Sequence, residues 1–349
     1  MKIVFCGGGT AGHVTPNFAL MEKLIGNDMY YMGTGSMEKR LTEQYVENGT
    51  LVEFREITAG KLKRKFALSN LLLPFTLAKS ISQCKKHLKQ IAPDVVFSKG
   101  GFVGLPVVIA ANKLKIPTIV HESDMSLGLA NKISSLYATK LFTTFDCSKK
   151  GQTVGAIVRQ SALEGDRNKG LAAMDFDGKK PILLVLGGSL GSVALNNALL
   201  KCKTLANTFD IFVLTGKGKR VDCDFIHQSE YCLDMPSLFS ATTLAVCRGD
   251  ANSLCELTET KTPFVCVPLE KSSLGEQFDN ANLFCNQKHC GVLLREKDLS
   301  QNTLSNAVLS VYKNLESYKK NQKNFCINGT STVLTLIENE ILNFKKTSL

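Results

Sequence analysis

The stretch Lys2-Ile3-Val4-Phe5-Cys6-Gly7-Gly8-Gly9-Thr10-Ala11-Gly12-His13 decides how the rest of the chain is read. Its first residues form a short apolar, β-branched run with room for one buried strand. The glycines let the backbone approach a ligand closely, and residues 16–24, opened by Pro16, read as a helix. A strand, a glycine-rich turn and a helix N-terminus together make an anion cradle, because unpaired N–H groups and the helix dipole favour negative charge. The arrangement recurs at Ile182-Leu183-Leu184-Val185-Leu186, followed by Gly187-Gly188-Ser189-Leu190-Gly191-Ser192 and a helix over 193–200. A lone turn of this kind is as well read as a tight βα connection without a ligand. The pair predicts an α/β protein of two Rossmann-like, doubly wound parallel-sheet domains facing a cleft.

Gly7, Gly9 and Gly12 also satisfy G-x-G-x-x-G, so a dinucleotide enzyme is the rival reading. It needs a carboxylate at the end of the second strand to hold a ribose hydroxyl. Met29-Tyr30-Tyr31-Met32 ends instead in Gly33-Thr34-Gly35-Ser36, and Asp28 stands at the strand's start. The phosphate reading survives and the NAD reading weakens.

A chain of 349 residues suffices for two domains, each with a sizeable core. Hydrophobic content of 44% and charged content of 21% are those of a globular protein. Met1-Lys2 leads straight into a core strand, which argues against a signal peptide. No apolar stretch reaches the roughly 20 residues that span a bilayer. The twelve cysteines are scattered without a C-x-x-C pair. Cys285 and Cys290 beside His289 suggest zinc only faintly, so no metal and no cofactor is expected.

The net charge of +11 suits an anionic partner. Part of it is concentrated in Lys61-Leu62-Lys63-Arg64-Lys65, followed at once by the apolar residues 66–75. That pairing fits an anionic inner-leaflet membrane surface as well as it fits a core helix with a charged edge. No nucleic-acid module is present, and no nucleic-acid partner is expected.

A third glycine turn, Lys99-Gly100-Gly101-Phe102-Val103-Gly104, follows the strand Asp94-Val95-Val96-Phe97-Ser98 and precedes a helix over 105–112. Ile116-Pro117-Thr118-Ile119-Val120 runs into His121-Glu122-Ser123-Asp124, and residues 128–137 continue as a helix. Such strand ends line the ligand crevice of a parallel sheet. Residues 159–180 have the polar, glycine-rich composition of a linker. The expected division is 1–158, 159–328, and a C-terminal helix in 329–349 that packs back on the first domain.

The blocks Gly7 to Pro16, Lys99 to Val103, His121 to Asp124 with 128–132, Gly187 to Ser192, and Arg248 to Glu256 with Gln277-x-x-Asn280-Ala281 stand in one order and spacing. In this the chain resembles the MurG family of peptidoglycan glycosyltransferases, from residue 1 to the C-terminal helices. The resemblance implies the glycosyltransferase B fold and an inverting hexosyltransferase. Such an enzyme moves N-acetylglucosamine from UDP-N-acetylglucosamine to the 4-hydroxyl of undecaprenyl-linked lipid I, at the cytoplasmic face of the cell membrane as a peripheral protein. It implies donor contacts from Ser189, the backbone near Cys232, Ala251, Asn252, Ser253, Leu254, Cys255, Glu256 on the ribose diol, Gln277 and Asn280. Arg159 would offset charge on the departing UDP, and Thr10, Ala11, Gly12 and Asp124 would approach the transferred sugar. Gly8, Gly9, Gly100 and Gly101 would face the acceptor pyrophosphate. His13 is the candidate base, or else a residue that positions the acceptor or caps the helix, and Asp124 is the second candidate. The chain departs from the family at Arg248-Gly249-Asp250, which sets an extra carboxylate near the nucleotide, and at Ala156-Ile157-Val158, where relatives carry proline. A related transferase acting on another membrane lipid, and a UDP-sugar-binding module without turnover, are the alternatives.

Overall fold

The computed structural model describes residues 1–35, 37–60, 73–188, 191–232, 234–270 and 275–347. The chain divides into two compact units, Met1–Arg159 with Gly329–Leu349, and Gln160–Asn328.

The first unit carries strands β1 (Lys2–Cys6), β2 (Asp28–Gly33), β3 (Glu53–Glu56), β4 (Val95–Ser98), β5 (Thr118–Glu122), β6 (Lys140–Thr143) and β7 (Gln152–Thr153). Its helices are α1 (Thr15–Met21), α2 (Met37–Glu47), α3 (Leu73–Ile91), α4 (Gly101–Lys113) and α5 (Leu129–Ser134). The strands form one sheet in the order β3-β2-β1-β4-β5-β6-β7, every neighbour parallel. The reversal between β1 and β4 is the switch point where such sheets open to ligands.

The second unit begins with α6 (Gln160–Leu163) and α7 (Arg167–Met174). It continues as β8 (Ile182–Leu186), α8 (Val193–Leu199), β9 (Asp210–Leu214), β10 (His227–Ser229), α9 (Met235–Ala241), β11 (Leu244–Cys247), α10 (Ala251–Glu259), β12 (Phe264–Cys266), α11 (Glu276–Ala281) and β13 (Gly291–Leu293). Two further helices, α12 (Gln301–Lys313) and α13 (Leu315–Asn324), complete it. Its sheet runs β10-β9-β8-β11-β12-β13, again all parallel. Around β8 the first unit's order is thus repeated for six strands, β7 having no counterpart among the described residues.

The apolar runs explain both cores. Ile3, Phe5, Val95, Phe97 and Ile119 pack with Phe18 and Leu20 of α1 on one face of the first sheet. Val4, Cys6, Val96 and Val107 fill the other. Burial on both faces is why these strands read as continuous hydrophobic runs rather than alternating ones. The last helix, α14 (Thr330–Thr347), returns Val333, Ile337 and Ile341 to the first unit's core. Thr330 Oγ1 anchors it there, accepting from the Val158 amide at 2.9 Å and donating to the Val158 carbonyl at 2.9 Å.

Two expectations are corrected. The helix expected over 16–24 is shorter: a 3₁₀ turn at Ala11–His13 precedes α1, which ends at Met21 in tightened turns. The segment expected as a linker is structured, since α6 and α7 pack on α9. Gly165 lies against the Pro236 carbonyl and Gly170 against the Ser237 carbonyl, so a side chain at either would overlap backbone. Asp166 caps α7 by accepting from the amides of Asn168 and Lys169 at 2.8 and 3.2 Å. Polar composition reads as a linker, and only tertiary packing reveals those glycines as contact points.

Candidate active site

In the first unit, three strand ends bring their loops together beside β1. The Gly7–Gly9 turn is held from behind by Glu38 of α2, which is 1% exposed. Its Oε1 accepts from the Gly9 amide at 2.7 Å and its Oε2 from Thr34 Oγ1 at 2.6 Å. Tyr31 and Asn17 brace the same turn, the tyrosine hydroxyl donating to the Gly7 carbonyl at 2.8 Å. The second turn follows β4, where Ser98 Oγ accepts from the Gly100 amide at 3.2 Å. Gly101 has a φ of 74° and lies against the Gly8 carbonyl, so only glycine lets the two turns touch.

His13 stands where they meet. Its Nδ1 is 3.1 Å from Thr10 Oγ1, and the Gly8 backbone lies close enough to the ring to favour its protonated form. Burial holds the imidazole below its ordinary value, although Glu122 opposes the shift; Lys99 reinforces it, and Gly8 and Glu38 oppose it more weakly. The ring is therefore neutral near neutral pH and able to accept a proton. Of the two alternatives to a base, helix capping has no support, because the ring turns to Thr10 and Gly8 and no side chain caps α1.

At the end of β5, Glu122 is almost fully buried. Its Oε1 accepts from the amides of Ser123 and Asp124 at 2.8 and 3.1 Å. Its Oε2 accepts from the Gly128 amide at 3.1 Å and from Asn131 Nδ2 at 2.9 Å. Asp124 is thus presented, half-buried, on a loop that one carboxylate organises. Arg159 closes this unit rather than opening the second one, and its positive charge opposes the upward shift that burial gives the Tyr45 hydroxyl.

In the second unit, Gly187 and Gly188 turn from β8 toward α8, while Ser189 lies outside the described residues. Gly191 has a φ of 68° and lies against the Thr215 carbonyl. Ser192 caps α8, its Oγ accepting from the Leu195 amide at 3.2 Å. That hydroxyl also accepts from Arg248 Nη2 at 2.5 Å. The buried guanidinium further binds the Val267 carbonyl at 2.9 Å and Glu296 Oε1 at 2.7 Å. Arg248 and Glu296 are therefore a neutral pair beneath the turn, a pairing that sequence spacing gives no sign of.

The stretch 251–256 forms the first turns of α10, and helical spacing sorts it. Ala251, Leu254 and Cys255 are buried in the core, whereas Asn252, Ser253 and Glu256 are partly exposed. Only the second set can offer side chains to a ligand; the first can offer backbone alone. Asp250 caps this helix, its carboxylate accepting from the Ser253 amide at 3.0 Å. The extra carboxylate is thereby accounted for: it serves the helix end. Burial raises it above the ordinary carboxyl value, with the Ser253 amide and hydroxyl pulling the other way.

Gln277 and Asn280 clamp the Gly249 peptide. Gln277 Oε1 accepts from the amides of Gly249 and Leu269 at 3.4 and 2.9 Å, and Asn280 Nδ2 donates to the Gly249 carbonyl at 3.0 Å. Asn280 is fully buried against that peptide. Cys232 is half-buried, and burial raises its thiol. Cys285 and Cys290 are buried, and Cys290 Sγ donates to the Lys288 carbonyl at 3.7 Å. Among the described residues no group of three His, Cys, Asp or Glu side chains is arranged to hold a metal ion.

The glycosyltransferase family 28 N-terminal domain profile matches residues 3–143 and the family's C-terminal domain profile matches residues 182–337. A UDP-N-acetylglucosamine--N-acetylmuramyl-(pentapeptide) pyrophosphoryl-undecaprenol N-acetylglucosamine transferase of Clostridium botulinum is 39% identical, over 97% of this chain and 96% of the relative. The chain belongs to the MurG family of glycosyltransferases. A family member of the same description from Clostridium tetani is also 39% identical, over 97% of both chains. Among solved structures, MurG of Acinetobacter baumannii superposes with a TM-score of 0.72 at 22% identity, covering 97% of this chain and 99% of that one. The UDP-GlcNAc 2-epimerase of Neisseria meningitidis, bound to UDP-GlcNAc, superposes with a TM-score of 0.66 at 14% identity, covering 98% of this chain and 100% of that one. The fold is therefore that of the glycosyltransferase B class, two Rossmann-like α/β domains, as the strand pattern predicts.

Proposed function

We propose that this family member transfers N-acetylglucosamine from UDP-N-acetylglucosamine to the muramyl 4-hydroxyl of undecaprenyl-pyrophosphoryl-N-acetylmuramyl-pentapeptide, making lipid II from lipid I. The observation that carries the reading is the match to relatives of that activity through both halves of the chain, at 39% identity over 97% of its length.

The chemistry follows from the residues. The acceptor hydroxyl oxygen attacks the anomeric carbon while neutral His13 takes its proton. The bond from that carbon to the UDP oxygen breaks with inversion, and the electron pair leaves with the diphosphate. Gly8, Gly9, Gly100 and Gly101 form the wall for the acceptor pyrophosphate, with Glu38 fixing the Gly9 peptide. Thr10, Ala11, Gly12 and Asp124 stand on the loops that meet the sugar. In the donor unit, Glu256 accepts from the two ribose hydroxyls, Asn252 and Ser253 line the same exposed helix face, and Gln277 reaches the sugar. Asn280 contributes by fixing Gly249. Arg159 offsets charge on the departing UDP.

The protein works at the cytoplasmic face of the membrane as a peripheral enzyme. Support comes from the charge of +11 and from the exposed side chains of Phe75, Leu129 and Leu136 on the acceptor unit. The basic and apolar residues 61–72 that precede Phe75 lie outside the described residues. Among the described residues no helix is long and apolar enough to cross a membrane.

The test is transfer of labelled N-acetylglucosamine to a lipid I analogue, wild type beside Glu256→Ala. Loss of a charged acceptor for two hydroxyls is expected to reduce kcat/KM for the donor about a hundredfold. Donor binding without product in the wild type would discard the lipid I assignment and leave another acceptor, or a silent module.

A further inference from the structure

Lys99 lies where β4 runs into the second glycine turn of the acceptor unit, with only 1% of its surface exposed. A lysine is rarely buried so completely, because desolvating an ammonium is costly unless the surroundings use its charge. Its Nζ donates to His121 Nδ1 at 2.6 Å and to Ser123 Oγ. On the far side of the ring, His121 Nε2 donates to the Gly155 carbonyl at 3.2 Å. One neutral tautomer of His121 is thereby selected, as each ring nitrogen has a single role.

The base of the lysine stem also lies between the two turns. A Cβ on Gly7 would come within 3.1 Å of Lys99 Cβ, and Lys99 directly precedes Gly100 and Gly101. A Cβ on Gly101 would in turn come within 3.1 Å of His13 Nδ1. Three charged groups act on His13 from the elements around it: Glu38 of α2, Lys99 at the end of β4 and Glu122 at the end of β5. The Gly8 backbone and Thr10 hydroxyl complete its surroundings from its own turn.

We propose that Lys99 is a positioning residue of the acceptor site: it orders His121 and Ser123, and it lays a fixed positive charge beneath the two glycine turns that receive the acceptor's pyrophosphate. Glycine amides alone offer partial charges; an ammonium in a low-dielectric floor adds a full one that needs no rearrangement when the ligand arrives. The same charge opposes protonation of His13 and so preserves it as a base. What binds above the floor rests on the lipid-acceptor reading.

The experiment uses the full chain with Lys99→Met, which keeps the length and removes the charge, and Ser123→Ala, which keeps the charge and loosens its anchor. In Lys99→Met the KM for a lipid I analogue should rise about tenfold or more, while the KM for UDP-N-acetylglucosamine should stay within about twofold. The His13 imidazole, followed by NMR across pH, should titrate higher than in the wild type. Ser123→Ala should show a smaller rise in acceptor KM and a shifted His121 resonance. An unchanged acceptor KM with an unmoved His13 titration in Lys99→Met would overturn the proposal. So would a loss falling equally on both substrates, the mark of a merely structural lesion. Should Lys99→Met fail to fold, Ser123→Ala decides, and a wild-type acceptor KM with a wild-type His121 resonance overturns the idea. Failure of the lipid I reading shows separately, as absence of product in the wild type, and leaves the imidazole titrations legible.

Discussion

The two glycine turns of this glycosyltransferase share one topology and differ in what lies beneath them. Both follow the central strand of a parallel sheet whose order the two units share over six strands. Under Gly7–Gly9 stand ionisable groups in close company: Glu38, Lys99, His121 and Glu122, each buried. Against Gly191 and Ser192 stand the buried Thr215 and Asn196, the paired Arg248 and Glu296, and Lys219, whose Nζ donates to the Gly191 carbonyl at 3.2 Å. Strand order makes the cradle; the first floor has a histidine set among its buried ionisable groups, and the second has a lysine ammonium held against the turn itself. The division suits a transfer in which the acceptor must be deprotonated and the donor need only be gripped.

The largest expected effect tests the proton-moving side. His13→Ala should lower transfer by about a hundredfold to ten-thousandfold, the usual range for a lost general base, while UDP affinity measured by calorimetry is retained. Since burial, aided by Lys99, holds the imidazole below the ordinary 6.5, the acid limb of wild-type kcat/KM should fall below that value. The sign also fixes a stability effect. A lowered imidazole pKa means the unfolded chain binds the proton more tightly, so stability declines as pH falls from 6.5 through the folded value. A limb above 6.5, or a loss of only a few-fold, would remove the contrast between the two floors.

A smaller effect compares matched glycines. Gly101 and Gly191 have left-handed φ values of 74° and 68°, and each lies against a carbonyl oxygen of a neighbouring turn. Alanine at either should cost about 1–3 kcal/mol in urea unfolding through backbone strain and overlap. The functional readout should divide: Gly101→Ala raising the acceptor KM, Gly191→Ala the donor KM. A rise in donor KM from Gly101→Ala would erase the assignment of one turn to each substrate.

The cradles were legible in the sequence because they are local. A buried parallel strand is a continuous apolar run, and the turn after it must be glycine wherever another backbone approaches. The floors were not legible, because they are assembled across the fold. Glu38 is a glutamate early in an amphipathic helix, which reads as a solvated residue until the Gly9 amide is found against it. Lys99 stands inside a recognisable motif, yet nothing in Ser98-Lys99-Gly100 says that the side chain turns inward. Asn280 reads as a ligand group by motif, and only the fold buries it against the Gly249 peptide. The packed helices α6 and α7 escaped for the same reason, their contact points being glycines that composition assigns to a linker.

The smallest expected effect sharpens the comparison from the donor side, at Asp250. Its carboxylate caps α10, so Asp250→Ala should cost about 1 kcal/mol of stability. Burial raises this carboxyl above 3.8, so the folded state holds its proton more tightly than the unfolded chain. The contribution is then fully present below 3.8 and is lost as pH rises through the folded value. Asparagine accepts from the same Ser253 amide and carries no charge to desolvate. Asp250→Asn should therefore match or exceed wild-type Tm, with a margin that grows from acid to neutral pH. The corresponding neutralisation under the first turn, Glu38→Gln, should cost more, because the amide oxygen must keep the fixed Gly9 donor while the Thr34 hydroxyl turns to accept from the new NH2 in a buried site. A helix cap should lose its charge more cheaply than a buried carboxylate held between the Gly9 amide and Thr34; equal penalties for the two variants would show that the two carboxylates do not differ in kind.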